Sequence, residues 1–171
     1  GGSGCGPTCA AMVIETIMGK QMTPITACKW SVEHGYKALG HGTYHAFFGA
    51  IFTEFGISHF QTLDMEMVLA HLKAGGWAVA HMKPGNWTKG GHFILVYGFE
   101  GGYVYINDPA STSPSRTKAK WSLFSAECTK AWGIHLPKTL PGEIPKEAPV
   151  LTCFVSSPDD GYLNMRKGPG L

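Results

Sequence analysis

Apolar residues at Ala10, Met12, Val13, Ile14, Ile17 and Met18 predict a largely buried helix over Thr8 to Gly19. Pro7 suits its first turn and Gly19 its end. A second helix is predicted from Thr23, a capping hydroxyl followed by Pro24, to the stop at Gly35. A third covers Tyr44 to Phe55 and ends at Gly56. A fourth runs from Met65 to Lys73, with Asp64 as its cap and Gly75-Gly76 as its stop. The period then changes. WAVAHM (Trp77 to Met82) is short and partly β-branched, and HFILVYGF (His92 to Phe99) is apolar almost throughout, as a central strand would be. Glu100-Gly101-Gly102 is a hairpin signal, and YVYIND (Tyr103 to Asp108) alternates as a third strand that Pro109 ends. A polar loop is expected through Lys118, a mixture of strand and helix over Trp121 to Lys130, and a last strand over Ala131 to Leu136. Helices first and an antiparallel sheet afterwards make an α+β fold.

Prolines at 137, 141, 145 and 149 mark an extended, semi-rigid linker. The chain therefore divides into a catalytic-size domain over 1–136, a linker over 137–149 and a short C-terminal piece over 150–171. With 44% hydrophobic and 15% charged residues in 171, a packed core is expected and disorder is not. The net charge of +2 and the lack of basic runs interleaved with aromatics exclude nucleic acid as the main partner. No apolar run reaches bilayer length. Five cysteines at wide spacing are not a disulfide framework, and zinc-type CxxC pairs are absent.

The chemistry gathers at three places. Cys5 stands in GCGPTCAAM immediately before a predicted helix, whose free N–H groups and partial positive charge favour a thiolate. Gly4 and Gly6 leave the sulfur accessible, and the Cys5 N–H can face an oxyanion. A cysteine nucleophile needs a base within hydrogen-bond reach and a group to orient that base. His92 opens a strand after Gly90-Gly91, where nothing bulky shields it. Asp108 closes the next strand, and the intervening turn makes the two cross-strand neighbours. Asn107, beside Asp108, is a candidate for sharing the orienting role or touching substrate.

The motifs GCGPTCAAM, GGHFILVYGF and YVYINDP, in this order, resemble bacterial papain-like cysteine peptidases of the bacteriocin-leader-processing type, especially C39-like relatives in secreted proteins and phage lysins. The resemblance spans Gly4 to Leu136. It implies a papain-like fold with Cys5 as nucleophile, His92 as general base and Asp108 as orienting acid, and no cofactor. Such enzymes usually carry a glutamine several residues before the cysteine as an oxyanion donor. None of the four residues before Cys5 is Gln. GYLNMRKGPG (Gly161 to Gly170) resembles the opening of a bacterial Src-homology-3-like module, a type that often binds cell-wall peptides.

The expected function is amide hydrolysis through Cys5, His92 and Asp108. A peptidoglycan peptide is the first substrate expectation, and a protein or leader peptide cut after small residues the second. An inactive, peptide-binding papain-like module is the third reading. Trp87, in the loop before His92, is a candidate for lining a substrate cleft. His81 is a weaker rival base, because no carboxylate strand follows it at the matching spacing. His41 and His45 are four apart, but sequence places no third metal ligand, so no metal is expected. A monomer outside the cell or on its wall completes the expectation.

Overall fold

A computed structural model describes residues 4–19, 21–38, 42–138 and 140, and the backbone of 151–155 and 163–167. Most of the proline-rich linker, half of the Src-homology-3-like motif, and His41 lie outside the described residues.

Helix α1 covers Cys5–Met18. It starts three residues before the expected Thr8, so Cys5 is its first residue and does not precede it. The shortfall has a physical reason. Gly6, Pro7 and Thr8 are buried without apolar side chains to announce it. A β-carbon on Gly6 would lie 3.2 Å from Thr43, so a larger residue would have to push Thr43 back by a few tenths of an ångström. The Thr8 N–H closes the first turn on the Gly4 carbonyl at 2.9 Å. At the far end Gly19 takes φ 61 and caps the helix on Glu15.

Helix α2 (Pro24–Glu33) is capped by the Thr23 hydroxyl, which accepts from the Thr26 N–H. Two short strands follow, β1 (Lys37–Ala38) and β2 (Gly42–Thr43), paired antiparallel. Helix α3 (Ala46–Glu54) is two residues shorter at its start than the pattern predicts. Helix α4 (Met65–Lys73) has the predicted bounds, with Asp64 accepting from the Glu66 N–H at 3.0 Å.

Between α3 and α4 lies β3 (His59–Thr62), which the pattern did not reveal. It is an edge strand of half-buried residues, with no alternation to betray it. Strands β4 (Trp77–Met82), β5 (His92–Glu100) and β6 (Tyr103–Asn107) agree closely with expectation. The turn between β5 and β6 holds Gly101 and Gly102 at φ 59 and 84, both left-handed, as the tightest hairpins require.

The expected polar loop instead contains a single turn, α5 (Pro114–Thr117), and an edge strand, β7 (Lys118–Lys120), with Ala119 alone turned into the core. Helix α6 (Trp121–Glu127) leads into β8 (Cys128–Ile134). These strands form one antiparallel six-stranded sheet in the order β3-β8-β4-β5-β6-β7.

Alternation on the strands serves two cores. Trp77, Val79, Phe93, Leu95, Trp132 and Ile134 meet α1 and α3 on one face. Ala78, Ala80, Met82, Ile94, Val96, Val104 and Ile106 meet α4 and α6 on the other. The α+β expectation is therefore met, with the sheet sandwiched between helices. Strands β9 (Leu151–Val155) and β10 (Leu163–Lys167) pair antiparallel and lie against α1 and α2.

Candidate active site

Three elements converge on one point. The first turn of α1 brings Cys5, the first residue of β5 brings His92, and the end of β6 brings Asp108. The β5–β6 register pairs Leu95 with Asn107, and that pairing sets the next residue, Asp108, beside the start of β5. The His92 Nε2 and the Asp108 Oδ1 are 2.7 Å apart. The other side of the ring faces Cys5, with which it forms a side-chain hydrogen bond. The Cys5 sulfur also accepts from the backbone N–H groups of Gly6 and Phe93. Cys5 is partly exposed, whereas His92 and Asp108 are buried.

Electrostatics separate these groups from the other cysteines. Burial alone would raise the Cys5 pKa, but the hydrogen bond and charge of His92 and the two N–H groups overcome it, and the thiol is lowered. Burial alone would lower His92. The bonds to Asp108 and Cys5 and their negative charges overcome it and lift the imidazole to about 9. The two shifts run in opposite directions, and each favours the charged form, thiolate and imidazolium. Cys9, one helical turn on and fully buried, is pushed well above its usual range, chiefly by burial. Burial likewise pushes Cys128 up to about 12. Cys28 is held in a disulfide.

Two neighbours of the site carry no sequence signal. Arg116 donates through Nε to the Asp108 Oδ2 at 2.7 Å, while the Ala110 N–H donates to Oδ1 at 2.8 Å. Arg116 comes from α5, the turn hidden in the polar loop, where a lone arginine looks like a solvated one. Lys37 on β1 sits opposite Thr43, the residue against Gly6. Burial lowers its pKa, and the negative charge of Cys5 acts the other way.

The remaining candidates fall elsewhere. Trp87 is 1% exposed, so it does not line an open cleft. Its indole N–H donates to the Arg116 carbonyl at 2.9 Å, and Arg116 Nη2 returns a bond to the Trp87 carbonyl at 2.7 Å. Trp87 is instead an anchor that holds Arg116, the Asp108 partner. Asn107 is half-buried on the alternation of Tyr103 and Tyr105, opposite to that of Val104 and Ile106, and the imidazole bond goes to Asp108. His81 and His45 have rings 4.6 Å apart beside the site. Among the described residues no group of three metal-ligating side chains occurs.

The model of the Peptidase_C39 like family matches residues 2–134. No curated protein matches the chain. Among solved structures, the peptidase domain of Streptococcus ComA, a bi-functional ABC transporter of a quorum sensing pathway, superposes with TM-score 0.60 at 19% identity, over 79% of this chain and 93% of that one. A putative C39-like peptidase from Bacillus anthracis gives 0.58 at 15% identity, over 80% and 90%. A double glycine motif protease from an AMS/PCAT transporter, solved with its leader peptide, gives 0.53 at 19%, over 76% and 83%.

Proposed function

Because the chain belongs to the Peptidase_C39 like family and is a cysteine peptidase, we propose that it hydrolyses a peptide amide bond through Cys5, His92 and Asp108. The observation that carries this reading is the continuous relay from the Asp108 carboxylate, 2.7 Å from His92 Nε2, through the ring to a partly exposed Cys5. The Cys5 thiolate attacks the substrate carbonyl carbon, and the carbonyl electrons move to oxygen. The Cys5 N–H, which has no acceptor within its own helix, is the proposed donor to that oxyanion. His92 then gives its proton to the departing amine as the C–N bond breaks, leaving a thioester on Cys5. Water, deprotonated by His92, opens the thioester and restores the thiolate. Asp108, itself held by Arg116, fixes the ring orientation throughout.

For substrate, we propose a peptidoglycan peptide met outside the cell or on its wall. The Cys28 disulfide supports an oxidising compartment, and the wall-module-like GYLNMRKGPG supports the wall. The second reading, a leader cut after small residues, is favoured by the likeness to the double glycine motif protease seen with its leader peptide.

Site-resolved iodoacetamide labelling against pH tests the chemistry on wild type and His92→Ala. Cys5 should label fast well below the ordinary thiol value of about 8.5 and lose that speed without His92. Labelling of Cys5 no faster than that of Cys9 or Cys128 would sink the relay. Purified cell walls and a Gly-Gly-containing leader peptide, offered in parallel, then distinguish the substrates by release of new amino termini.

A further inference from the structure

Beside the nucleophile, on the sheet face that carries α1, three side chains stand in one row across neighbouring strands. Lys130 on β8 pairs with His81 on β4, and His81 pairs with Phe93 on β5. Trp132, two residues along β8, has the Lys130 ammonium 5.3 Å from its ring centroid. His45 lies over the row, its ring 4.6 Å from His81, 5.5 Å from Phe93 and 5.6 Å from Trp132. Phe93 is also the residue whose N–H bonds the Cys5 sulfur, so the row abuts the reacting atom.

Hydrogen bonds fix the orientation of His81. The Thr129 hydroxyl donates to the His81 carbonyl at 3.2 Å, so its oxygen is left to accept from His81 Nδ1–H at 2.6 Å. Nδ1 carries the proton, and Nε2 lies toward exposed Gly91, where a β-carbon would meet it at 3.1 Å. Nε2 is therefore the free position of this ring, at the lip of the site and next to His92. The charges that reach His81 come from His45, His92 and Lys130, and all are basic. These come from the segment before α3, from β5 and from β8, while Thr129, also on β8, is neutral. Burial first, and then those neighbours, hold His81 down at about 4. His45 is lowered by burial and by Lys130.

A concentration of basic groups with aromatic walls has one natural complement, an anion with an apolar stem. We propose that His45, His81 and Lys130 form a subsite for a carboxylate of the peptide substrate, adjoining Cys5. Lys130 supplies the standing charge. His81 gains a proton at Nε2 when the carboxylate arrives and donates it as a charge-assisted bond, and Phe93 and Trp132 cover the stem. The inference rests on the peptidase reading and narrows its substrate to peptides with a carboxylate near the scissile bond, from either an acidic side chain or a free C-terminus.

The test uses the full chain with Cys5→Ala, which binds without turnover, so the subsite and the hydrolysis can fail separately. Histidine ring resonances are followed by NMR during pH titration, with N-acetyl-Gly-Gly as free acid, its amide, and N-acetyl-Gly-Glu-amide. The acid forms should raise the His81 midpoint and bind about tenfold more tightly than the amide. Lys130→Met should remove that preference, and Lys130→Arg should keep it. Response to only one acid assigns the carboxylate to the C-terminus or to the side chain. Equal binding of acid and amide, or no movement of His81 with any of the three, overturns the proposal.

Discussion

The buried carboxylate of Asp108 accepts from His92, from Arg116 and from the Ala110 N–H. Removing one donor leaves lone pairs facing a site that water reaches poorly. Arg116→Met should therefore cost about 1.5–3 kcal/mol, the range for hydrogen bonds to charged groups. Arg116→Lys should restore only part of this, because an ammonium cannot repeat the forked contact to Asp108 and the Trp87 carbonyl. Urea unfolding of the two variants checks the order. The relay also fixes a pH profile. On the proposed mechanism activity requires the Cys5 thiolate and the His92 imidazolium, so kcat/KM should be bell-shaped, with its alkaline limb near the His92 value of about 9. Both limbs belong to the coupled pair. Asp108→Asn removes one of the influences that raise His92, so the alkaline limb should move to lower pH. An unmoved limb would contradict the orienting role given to Asp108.

At the scale of elements, the segment from Lys83 to Gly91 delivers His92 and is tied down along its length. The Asn86 N–H donates to Glu127 at 2.8 Å and its side chain to the Ser115 carbonyl at 2.8 Å. Trp87 then plugs the core shared with Phe124 and exchanges bonds with Arg116. Trp87→Phe keeps a ring in place but leaves the Arg116 carbonyl without its donor. It should lower stability by about 1–3 kcal/mol and reduce kcat through the position of Arg116, with little change in KM. A large rise in KM with unchanged stability would mean that the indole touches substrate after all.

For the whole molecule, several histidines have been folded into places that disfavour their charge. His71 donates from Nε2 to the carbonyls of Trp77 and Ile134, tying α4 to β4 and β8, and burial lowers its pKa. His45 and His81 are lowered as well. Each binds its proton more readily in the unfolded chain, near 6.5, than in the fold. Stability from these groups is therefore full above 6.5 and declines as pH falls below it, for His81 down to about 4. His92 has the opposite sign, its contribution being lost as pH rises through about 9. Thermal melts between pH 7 and pH 4 should show a falling midpoint, and His81→Gln should flatten the slope. An identical slope in that variant would remove His81 from the acid response.

Local pattern was enough for whatever depends on neighbours in the chain. Helix α4 with its Asp64 cap, the bounds of β4 and the Gly101-Gly102 hairpin follow from capping, alternation and turn stereochemistry, which act within a few residues. Cys5, His92 and Asp108 stand out as candidates in the same way, because glycines and strand ends mark them, and the fold brings the three together. Long-range contact decided the rest. Edge strands β3 and β7 bury too little to leave a period, and β8 reaches its place between β3 and β4 only through the assembled sheet. Arg116 and Trp87 meet across 29 residues, Thr129 and His81 across 48. Lys130, His81 and Phe93 become a row only when three strands lie side by side. Residue types alone mark the candidates for nucleophile, base and acid, since those roles depend on chemical identity. Which groups hold them and what surrounds them follow from folding, since burial and through-space charge belong to contacts that no local spacing records.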